Sequence, residues 1–382
     1  MYRELTDQFL AAPGIRREDN VIEYANSFPH LDISSLDFQE GVTKILDDLV
    51  GPQAIWEIVP KGVHTGDSDD AIVIKVKQAR HVYYLKFTTC LRVQLGMLFS
   101  YAYYHDHPQP FASTAAVLFH GTVTLKGGQN QYLMLIEEAK GVDLFGAFET
   151  RDQKIIFSYV ETAAKALAYN HFSYVSKALP ADKSRFASKK TTSILKKALP
   201  LHKKSIPDCP LKTPLQTVMN TLLESHQSYL NTPQVSSLYL GSAKVWNLSF
   251  SDIQHKITFF DPPTFYKYCG PSQPPLWAPE MSFIKFLHSL DFLERRYNFH
   301  ASEIEKIQDH FLQTYYLNSP RLIMSPQGLK LYETQAFLES IRKAINRVPK
   351  KEGSYENALQ KISQFREFAK PNSPRMQKLM GY

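Results

Sequence analysis

The sequence contains few cysteines and no long hydrophobic run, and these absences exclude several classes of protein. Its three cysteines, Cys90, Cys209 and Cys269, lie far apart in the 382 residues. They form neither a paired metal motif nor a disulfide framework, which fits a reducing compartment. No apolar stretch reaches the roughly 18 residues of a membrane-spanning helix. The first residues lack a basic region followed by an apolar one, so we expect no cleaved secretory signal and a cytoplasmic location.

Positive charge is scarce over most of the chain and is concentrated in two segments. Residues 177–212 hold 10 lysines and arginines against 2 acidic residues, and residues 341–382 hold 10 against 3. The remainder is mildly acidic, although the formal net charge of the chain is +7. This distribution predicts local positive potential that attracts polyanions.

Hydrophobic periodicity predicts a strand-rich first part, with one helix inside it, and then a largely helical second part. With 43% hydrophobic and 13% aromatic residues, the chain has ample material for two or three packed subdomains. Residues 1–50 are predicted to form a helical extension. The predicted strands are 71–77, 82–87, 115–124, 131–137 and a strand–loop–strand unit over 237–260. The predicted helices are 91–104, 155–169, 214–230, 281–296, 301–316, 331–347 and 355–369.

Five short segments follow one another in an order that has a known counterpart. They are Tyr83–Phe87, Tyr132–Leu144, Ala166–His171, Leu240–Asn247 and Lys256–Asp261. Their order and spacing resemble the motifs of the protein-kinase superfamily, including its aminoglycoside- and choline-kinase-like branch. The resemblance implies a bilobal α+β fold, with a small antiparallel-sheet lobe over 51–140 and a larger helical lobe over 141–300. Residues 301–382 would then add C-terminal helices with a basic tail.

The resemblance also implies roles for individual residues. Lys86 matches the strand lysine that pairs with ATP phosphates, and Lys244 matches a phosphate-contacting lysine of the catalytic loop. Asn247 and Asp261 match the residues that hold Mg²⁺, for which hard oxygen ligands are suited. The catalytic residues are therefore expected to be Lys86, Lys244 and Asp261.

The segment around residue 137 resembles the hinge between the two lobes, where backbone groups hold adenine. Glu137 and Ala139 are the expected contacts there, with Asn247 as a further cofactor-binding residue. The hinge is expected near 137–141, next to a five-stranded antiparallel sheet.

The chain also departs from the kinase pattern. Ser242 stands where the catalytic aspartate belongs, and Leu240 replaces the preceding histidine. The glycine-rich loop is reduced to the acidic stretch 61–70, and residues 87–105 contain no carboxylate to pair with Lys86. Asp261 is followed by two prolines. Losing the general base slows transfer by about 10²–10⁴-fold without abolishing it, so an active enzyme and a pseudokinase both remain open.

Simpler explanations exist for each candidate residue. Lys86 can be a solvated strand lysine, and Asn247 and Asp261 can be turn residues at strand ends. Ser242 is more simply a hydrogen-bonding loop residue than a nucleophile. Glu280, in Ala-Pro-Glu, mimics the end of a kinase activation segment, but a carboxylate near a helix N-terminus explains it equally.

The basic segment 177–212 is a second candidate site, and it lies before the predicted catalytic loop. A densely phosphorylated ligand or an anionic membrane surface suits this segment. Nucleic-acid binding usually needs aromatic residues interleaved with the basic ones, and Phe186 alone is weak evidence for it. A solvated insert is the alternative. The basic tail, with Arg342, Lys343, Arg347, Lys350 and Lys351, can extend this patch. The expected polyphosphate-binding residues are Lys183, Arg185, Lys189, Lys190, Lys196, Lys197, Lys203 and Lys204.

Three functions are compatible with these features. The first is an atypical phosphotransferase that uses ATP and Mg²⁺ on a protein or a small hydroxylated acceptor, with an inositol polyphosphate or phosphoinositide as activator. The second is a pseudokinase that binds or scaffolds, and the third is a kinase-like module that docks to phosphoinositides. Such remodelled kinases resemble effectors that intracellular bacterial pathogens deliver into host cells, which would place the protein in a host cytosol or at a membrane.

Overall fold

The structure is a computed structural model that describes most of the chain in two compact units. Its described residues are 35–59, 71–88, 94, 97–98, 100–101, 104–105, 107–124, 130–139, 141–149, 151–173, 175–176, 212–232, 235–238, 243–259, 276–319, 324–347, 354–370 and 372–381. One unit contains the described parts of 1–147 and 246–275. The other contains those of 148–239, 243–245 and 276–382. The four domain ranges expected from the sequence stay a prediction.

The described elements confirm the predicted order of a strand-rich first part and a largely helical second part. In chain order the strands are β1 (Ile55–Ile58), β2 (Ala71–Gln78), β3 (His81–Thr88), β4 (Ala112–Thr114), β5 (Val117–Thr124), β6 (Asn130–Glu137), β7 (Val142–Asp143), β8 (Val175–Ser176), β9 (Ser236–Leu238), β10 (Leu248–Ser251), β11 (Lys256–Phe259) and β12 (Leu276–Trp277). The helices are α1 (Leu36–Leu49), α2 (Leu144–Glu149), α3 (Gln153–Ser173), α4 (Lys212–Leu230), α5 (Pro279–Tyr297), α6 (Ala301–Leu317), α7 (Pro326–Arg347), α8 (Ser354–Ala369) and α9 (Pro374–Leu379).

The first unit is built on the predicted five-stranded sheet, in the order β1-β2-β3-β6-β5. Every neighbouring pair in it is antiparallel. The predicted hairpin of β2 and β3 is confirmed, and its turn places Ala79 at a positive φ of 51°. Alternating β-branched and aromatic residues give these strands one buried face each, and burial fixes their register.

Helix α1 covers one face of this sheet. It begins after Ser35, whose hydroxyl accepts a hydrogen bond from the Phe38 backbone at 3.2 Å and so satisfies one of the free N–H groups of the first turn. The apolar side chains of α1 recur at helical spacing and pack against the strand residues that point the same way. This buried cluster includes Phe38, Val42, Ile45, Leu46, Leu85, Phe87, Leu133 and Leu135.

A second sheet in the same unit has the order β4-β11-β10-β7. β10 and β11 form an antiparallel hairpin with Leu248 opposite Phe259, and β4 runs parallel to β11. The hairpin confirms part of the strand–loop–strand unit expected over 237–260. Strand β4 was not predicted, because three residues are too few for a periodic pattern.

The second unit is mostly helical. It contains helices α3 to α9 and a small sheet in the order β12-β9-β8, which is antiparallel throughout. The helices predicted from 155 onward are confirmed, with α3 longer than expected at both ends and α7 beginning earlier, at Pro326. In the part of the chain that the structure describes, no helix is long and apolar enough to cross a membrane.

The C-terminal helix α9 is held against this unit by ion pairs. Arg375 donates from Nε to the fully buried Glu333 at 3.0 Å and from its guanidinium to Gln308 at 3.0 Å. Burial alone would raise the pKa of Glu333, but the charges of His288 and Arg375 lower it to about 2. Lys378 donates to Glu305 at 2.7 Å. Because breaking one side of such a buried pair is costly, α9 is an integral part of the unit.

We expect Gly141→Ala to destabilise the first unit more than Gly51→Ala does. Both glycines have positive φ, 116° and 109°, which costs any other residue about 1–2 kcal/mol. An added Cβ at Gly141 would also overlap the carbonyl of Phe250 in β10, whereas at Gly51 it would meet the movable side-chain end of Gln78 at 2.9 Å.

Urea denaturation of both variants measures this difference. The free energy of unfolding should fall by at least about 2 kcal/mol more in Gly141→Ala than in Gly51→Ala. Equal losses would contradict the close approach of Gly141 to β10.

Candidate functional site

Lys86 lies on the face of the five-stranded sheet that α1 does not cover. Its neighbours Leu85 and Phe87 point into the cluster under α1, and successive side chains of a strand point to opposite faces. The register places Lys86 beside Val73 of β2 and Met134 of β6, and Met134 beside His120 of β5. These four side chains therefore form one row across the sheet. Burial lowers the pKa of His120, which disfavours a positive charge on its ring.

A short helical region packs against this same face. Its residue Met97 belongs to a buried cluster with Met134, Ile136 and Ala115. Its residue Gln94 is buried, and its side-chain amide donates hydrogen bonds to the backbone carbonyls of Gly121 and Leu133, both at 3.0 Å. The buried amide of Gln94 thus fastens this helical region to β5 and β6.

The end of β11 is joined to this face through Ala115. The Ala115 backbone N–H donates to the carbonyl of Phe259, the last residue of β11, at 3.4 Å, and the Thr114 hydroxyl donates to the same carbonyl at 3.0 Å. The side chain of Ala115 packs with Met134, which lies directly beside Lys86. The strand that leads to Asp261 therefore ends next to the Lys86 face of the sheet.

Asn247 lies at the same end of the β10–β11 hairpin. It closes a 3-10 turn, Val245–Asn247, directly before β10, and Leu248 pairs with Phe259. The Asn247 side chain is buried, with 4% of its surface exposed. Its amide is therefore held inside the fold at the point where β11 finishes, and it is not a solvated turn residue.

Lys244 precedes this turn and belongs to the second unit. Its neighbours Ala243 and Val245 are buried, and the Val245 N–H donates to the Ser289 hydroxyl of α5 at 3.0 Å. The Tyr159 hydroxyl of α3 donates to the Val245 carbonyl at 3.4 Å. Lys244 itself is only partly buried.

The predicted hinge contacts lie where β6 ends. Glu137 is the last residue of β6, and its backbone N–H donates to the Ala116 carbonyl at 2.9 Å. The next N–H, of Glu138, donates to the Val82 carbonyl at 3.1 Å. These two N–H groups already donate within the fold, so an adenine held near Glu137 would have to bond to other backbone groups of this segment. Ala139 lies two residues after the end of β6, outside regular secondary structure.

Several predicted site residues lie outside the described residues. These are Leu240, Ser242, Asp261, the acidic stretch 61–70 and the basic residues Lys183, Arg185, Lys189, Lys190, Lys196, Lys197, Lys203 and Lys204. Their roles stay predictions. Lys350 and Lys351 of the basic tail also lie outside.

Much of the positive charge of the tail is compensated within the fold. Arg375 and Lys378 pair with Glu333 and Glu305, as described above. Lys361 lies 3.7 Å from Asp291, and the exposed Lys370 pairs with Glu367 at 2.6 Å. The tail helices therefore offer less net positive potential than their composition indicates.

Glu280, at the start of α5, is a buried carboxylate with neutral neighbours. One of its oxygens accepts hydrogen bonds from the Ser325 backbone at 2.7 Å and from the Ser325 hydroxyl at 3.1 Å. Its Oε2 atom has no hydrogen-bond partner among the described residues. Burial raises the pKa of Glu280 to about 7, against the opposing effect of the Ser325 hydrogen bonds. Helix-terminus electrostatics alone therefore do not account for this residue.

Sequence reasoning missed Gln94 and Ala115. A glutamine within an apolar helix carries no signal for burial, and an alanine carries none for a contact. The absence of a carboxylate from 87–105 drew attention to this segment of the sequence, but it gave no signal for a buried amide.

Comparisons with known proteins find similar structures but no similar sequences. No family model matches the sequence, and no curated protein is similar to it at a significant level. Among solved structures, the apo form of a thermostable mutant of the aminoglycoside phosphotransferase APH(4)-Ia has a TM-score of 0.52 at 12% identity, covering 86% of this chain and 100% of that one.

Two ternary complexes of the same phosphotransferase are also similar to this chain. The complex with ADP and hygromycin B has a TM-score of 0.50 at 12% identity and covers 85% of this chain and 96% of that one. The complex with AMP-PNP and hygromycin B has a TM-score of 0.50 at 13% identity and covers 89% and 99%. At such identities the likeness establishes the fold. The chain has the α+β kinase-like fold of the aminoglycoside-phosphotransferase branch, as predicted.

We expect Glu280→Gln to remove a pH dependence of stability. Because the pKa of Glu280 rises from 4.5 to about 7 on folding, the folded protein holds this proton more tightly than the unfolded chain does. The resulting stabilisation is fully present below pH 4.5 and is lost as the pH rises through about 7, at up to about 1.4 kcal/mol per pH unit. Glutamine keeps the shape but does not titrate.

Denaturation of wild type and variant between pH 4 and pH 8 measures this effect. The free energy of unfolding of the wild type, relative to the variant, should fall as the pH rises and then level off. Glu356→Gln, at an exposed position of α8, is the matched control and should give a constant difference. A constant difference for Glu280→Gln would show that its pKa is not raised.

Proposed function

We propose that this protein is an ATP-dependent phosphotransferase that acts on a small hydroxylated acceptor. The observation that carries the proposal is the junction at Ala115, which joins the end of β11 to the sheet face of Lys86. Transfer of a phosphoryl group needs a cation on the phosphates and a metal ligand close to it. Lys86 supplies the first, and the β10–β11 hairpin carries Asn247 and leads to Asp261.

The structural neighbours support this assignment. The complexes of APH(4)-Ia hold ADP or AMP-PNP together with hygromycin B. Those proteins therefore bind an adenine nucleotide and a small hydroxylated molecule on the fold that this chain shares. A protein acceptor is a further candidate, for which the described residues offer no particular feature.

The residues of the site fit a magnesium ion. Mg²⁺ usually retains several waters and takes one or two protein oxygens together with the phosphates of its nucleotide. Asn247 and Asp261 would provide these oxygens, so the ion needs no cluster of three acidic or histidine ligands, and the described residues contain none. When bound, the ion would offset charge on the transferring phosphoryl group. Lys86 and Lys244 are the cations proposed to neutralise the charge of the phosphates.

A pseudokinase is the second candidate function. Gln94 provides a buried amide where kinases have the acidic partner of the strand lysine, and Ser242 stands where the catalytic aspartate belongs. A serine hydroxyl cannot act as a base near neutral pH. These two replacements favour a module that binds nucleotide without turning it over.

Regulation by a polyanion is the finer part of the proposal. The segment 177–212 is strongly basic and precedes α4, the helix before β9 and the predicted catalytic loop. An inositol polyphosphate or a phosphoinositide would neutralise its mutually repelling lysines and order it. That ligand would activate transfer if it bound the ATP-competent state more tightly.

We expect ATP with Mg²⁺ to stabilise the protein through Lys86. A ligand present at about 100 times its Kd adds about 2.7 kcal/mol to the free energy of unfolding, which raises Tm by several degrees. Lys86→Ala should lose most of this shift, whereas Lys77→Ala, an exposed lysine on the same face of the sheet, should keep it.

Differential scanning fluorimetry with and without Mg²⁺ makes this measurement. Equal shifts in the two variants would argue against a nucleotide at the Lys86 face.

We expect Asp261→Ala to abolish phosphate transfer in a protein that remains folded. The substitution removes the main carboxylate ligand of the metal ion. Ser242→Ala should change the rate by less than about tenfold, because a hydroxyl provides little general-base help.

Transfer of radiolabel from ATP to aminoglycosides, other small alcohols and the protein itself measures these rates. If wild-type protein labels none of these acceptors, the pseudokinase function is favoured. If Ser242→Ala is as inactive as Asp261→Ala, the alignment of the catalytic loop is wrong.

A further inference from the structure

Three buried side chains of the second unit form one hydrogen-bonded chain. His171 of α3 lies between the Tyr315 hydroxyl of α6, 2.6 Å from its Nδ1, and the Ser282 hydroxyl of α5, 2.7 Å from its Nε2. At most 2% of the surface of each residue is exposed. Buried networks of this kind specify a unique arrangement only when every member is satisfied.

The direction of each hydrogen bond follows from the number of protons available. The Ser282 hydroxyl donates its hydrogen to the Pro279 carbonyl at 3.1 Å, so toward His171 it can only accept. The Nε2 atom of His171 must therefore carry a hydrogen, and the Nδ1 atom must accept from Tyr315. Burial lowers the pKa of His171 to about 3 and raises the pKa of Tyr315, so both groups stay neutral at physiological pH.

These hydrogen bonds join helices α3 and α5 at the ends that lie next to the small sheet. Helix α3 ends at Ser173 and is followed by β8, while β12 leads directly into α5 at Pro279. β8 and β12 are the outer strands of the sheet, and β9 lies between them, with Ser237 paired to both Val175 and Trp277. The hydrogen bond from His171 to Ser282 thus holds together the two helix ends that are continuous with β8 and β12, the strands on either side of β9.

β9 is the strand that leads to the predicted catalytic loop. It ends at Leu238, and Val245, near the end of the predicted loop, bonds to Ser289 of α5 and Tyr159 of α3. Both ends of the loop are therefore held by α3 and α5, the two helices that His171 joins. The segment that follows Asp261 leads along the chain to β12, which pairs with β9 on the edge opposite β8.

We propose that His171 is a positioning residue, which in its neutral form with hydrogen on Nε2 holds the strands that flank the predicted catalytic loop. It touches neither nucleotide nor acceptor, and it acts through Ser282 and the first turn of α5. For its effect on phosphate transfer this inference rests on the proposed function, but the arrangement itself can be tested without it.

The ring form of His171 is measured by NMR of protein labelled with ¹³C and ¹⁵N at histidine. The expected result is a neutral ring with hydrogen on Nε2 from pH 5 to pH 8. Hydrogen on Nδ1, or protonation of His171 near its ordinary pKa, would overturn the proposal.

Two substitutions separate the two bonds of the ring. His171→Gln places an amide donor near the Nε2 position and keeps the bond to Ser282. His171→Asn keeps an acceptor near Nδ1 for Tyr315 and loses the bond to Ser282. Ser282→Ala removes the same bond from the other side with a smaller change of volume, in case His171→Asn does not fold.

Hydrogen exchange of backbone amides measures how firmly the strands are held in each variant. In His171→Asn and Ser282→Ala, residues 236–238 and 276–282 should exchange at least about tenfold faster, while His171→Gln stays within about threefold of wild type. Equal exchange in all these proteins would overturn the proposal.

Kinetics supplies the functional reading. His171→Asn should lower kcat at least about tenfold with little change in KM for ATP, and His171→Gln should recover most of this loss. An unchanged kcat in His171→Asn, with faster exchange, would overturn the link to the loop. If the wild type transfers no phosphate, the proposed function fails, while the NMR and exchange results still decide the role of His171.

Discussion

The junction of Ala115 with Phe259 and Met134 is the contact on which the candidate site depends. Its backbone bond holds the end of β11, and its small side chain lets that strand approach the sheet closely. Together with the pairing of β4 to β11 and of β7 to β10, it ties the hairpin that follows Asn247 to the sheet that carries Lys86. A larger side chain at position 115 would push the two apart, because packed cores have little room for added volume.

Buried polar groups give the rest of the fold its specificity. The amide of Gln94 fastens the short helix to β5 and β6, and the ring of His171 joins α3 to α5. Each such group costs free energy unless its partners are in place, so each one favours a single arrangement of its neighbours. Glu280 differs because its burial is only partly compensated, and its raised pKa is the consequence.

The sequence predicted the regular elements well because they depend on local periodicity. The hairpin of β2 and β3 and the helices from α3 onward follow from alternation and helical spacing. Strand β4 escaped prediction because its parallel pairing joins residues far apart in the chain, such as Ser113 and Thr258. The roles of Gln94 and His171 escaped because a buried polar residue looks like an exposed one until its partners are known. Lys86 could be proposed as a site residue because a family pattern marks it.

The claim that the Lys86 face holds the phosphates of a nucleotide is tested most directly by covalent labelling. An ATP derivative with an amine-reactive acyl phosphate transfers its acyl group to a lysine amine that lies beside the bound phosphates, and mass spectrometry then locates the modified residue. We predict modification of Lys86, with Lys244 as a second site, and protection of both by ATP with Mg²⁺. Labelling confined to other lysines, or labelling of Lys86 that ATP does not reduce, would contradict the account.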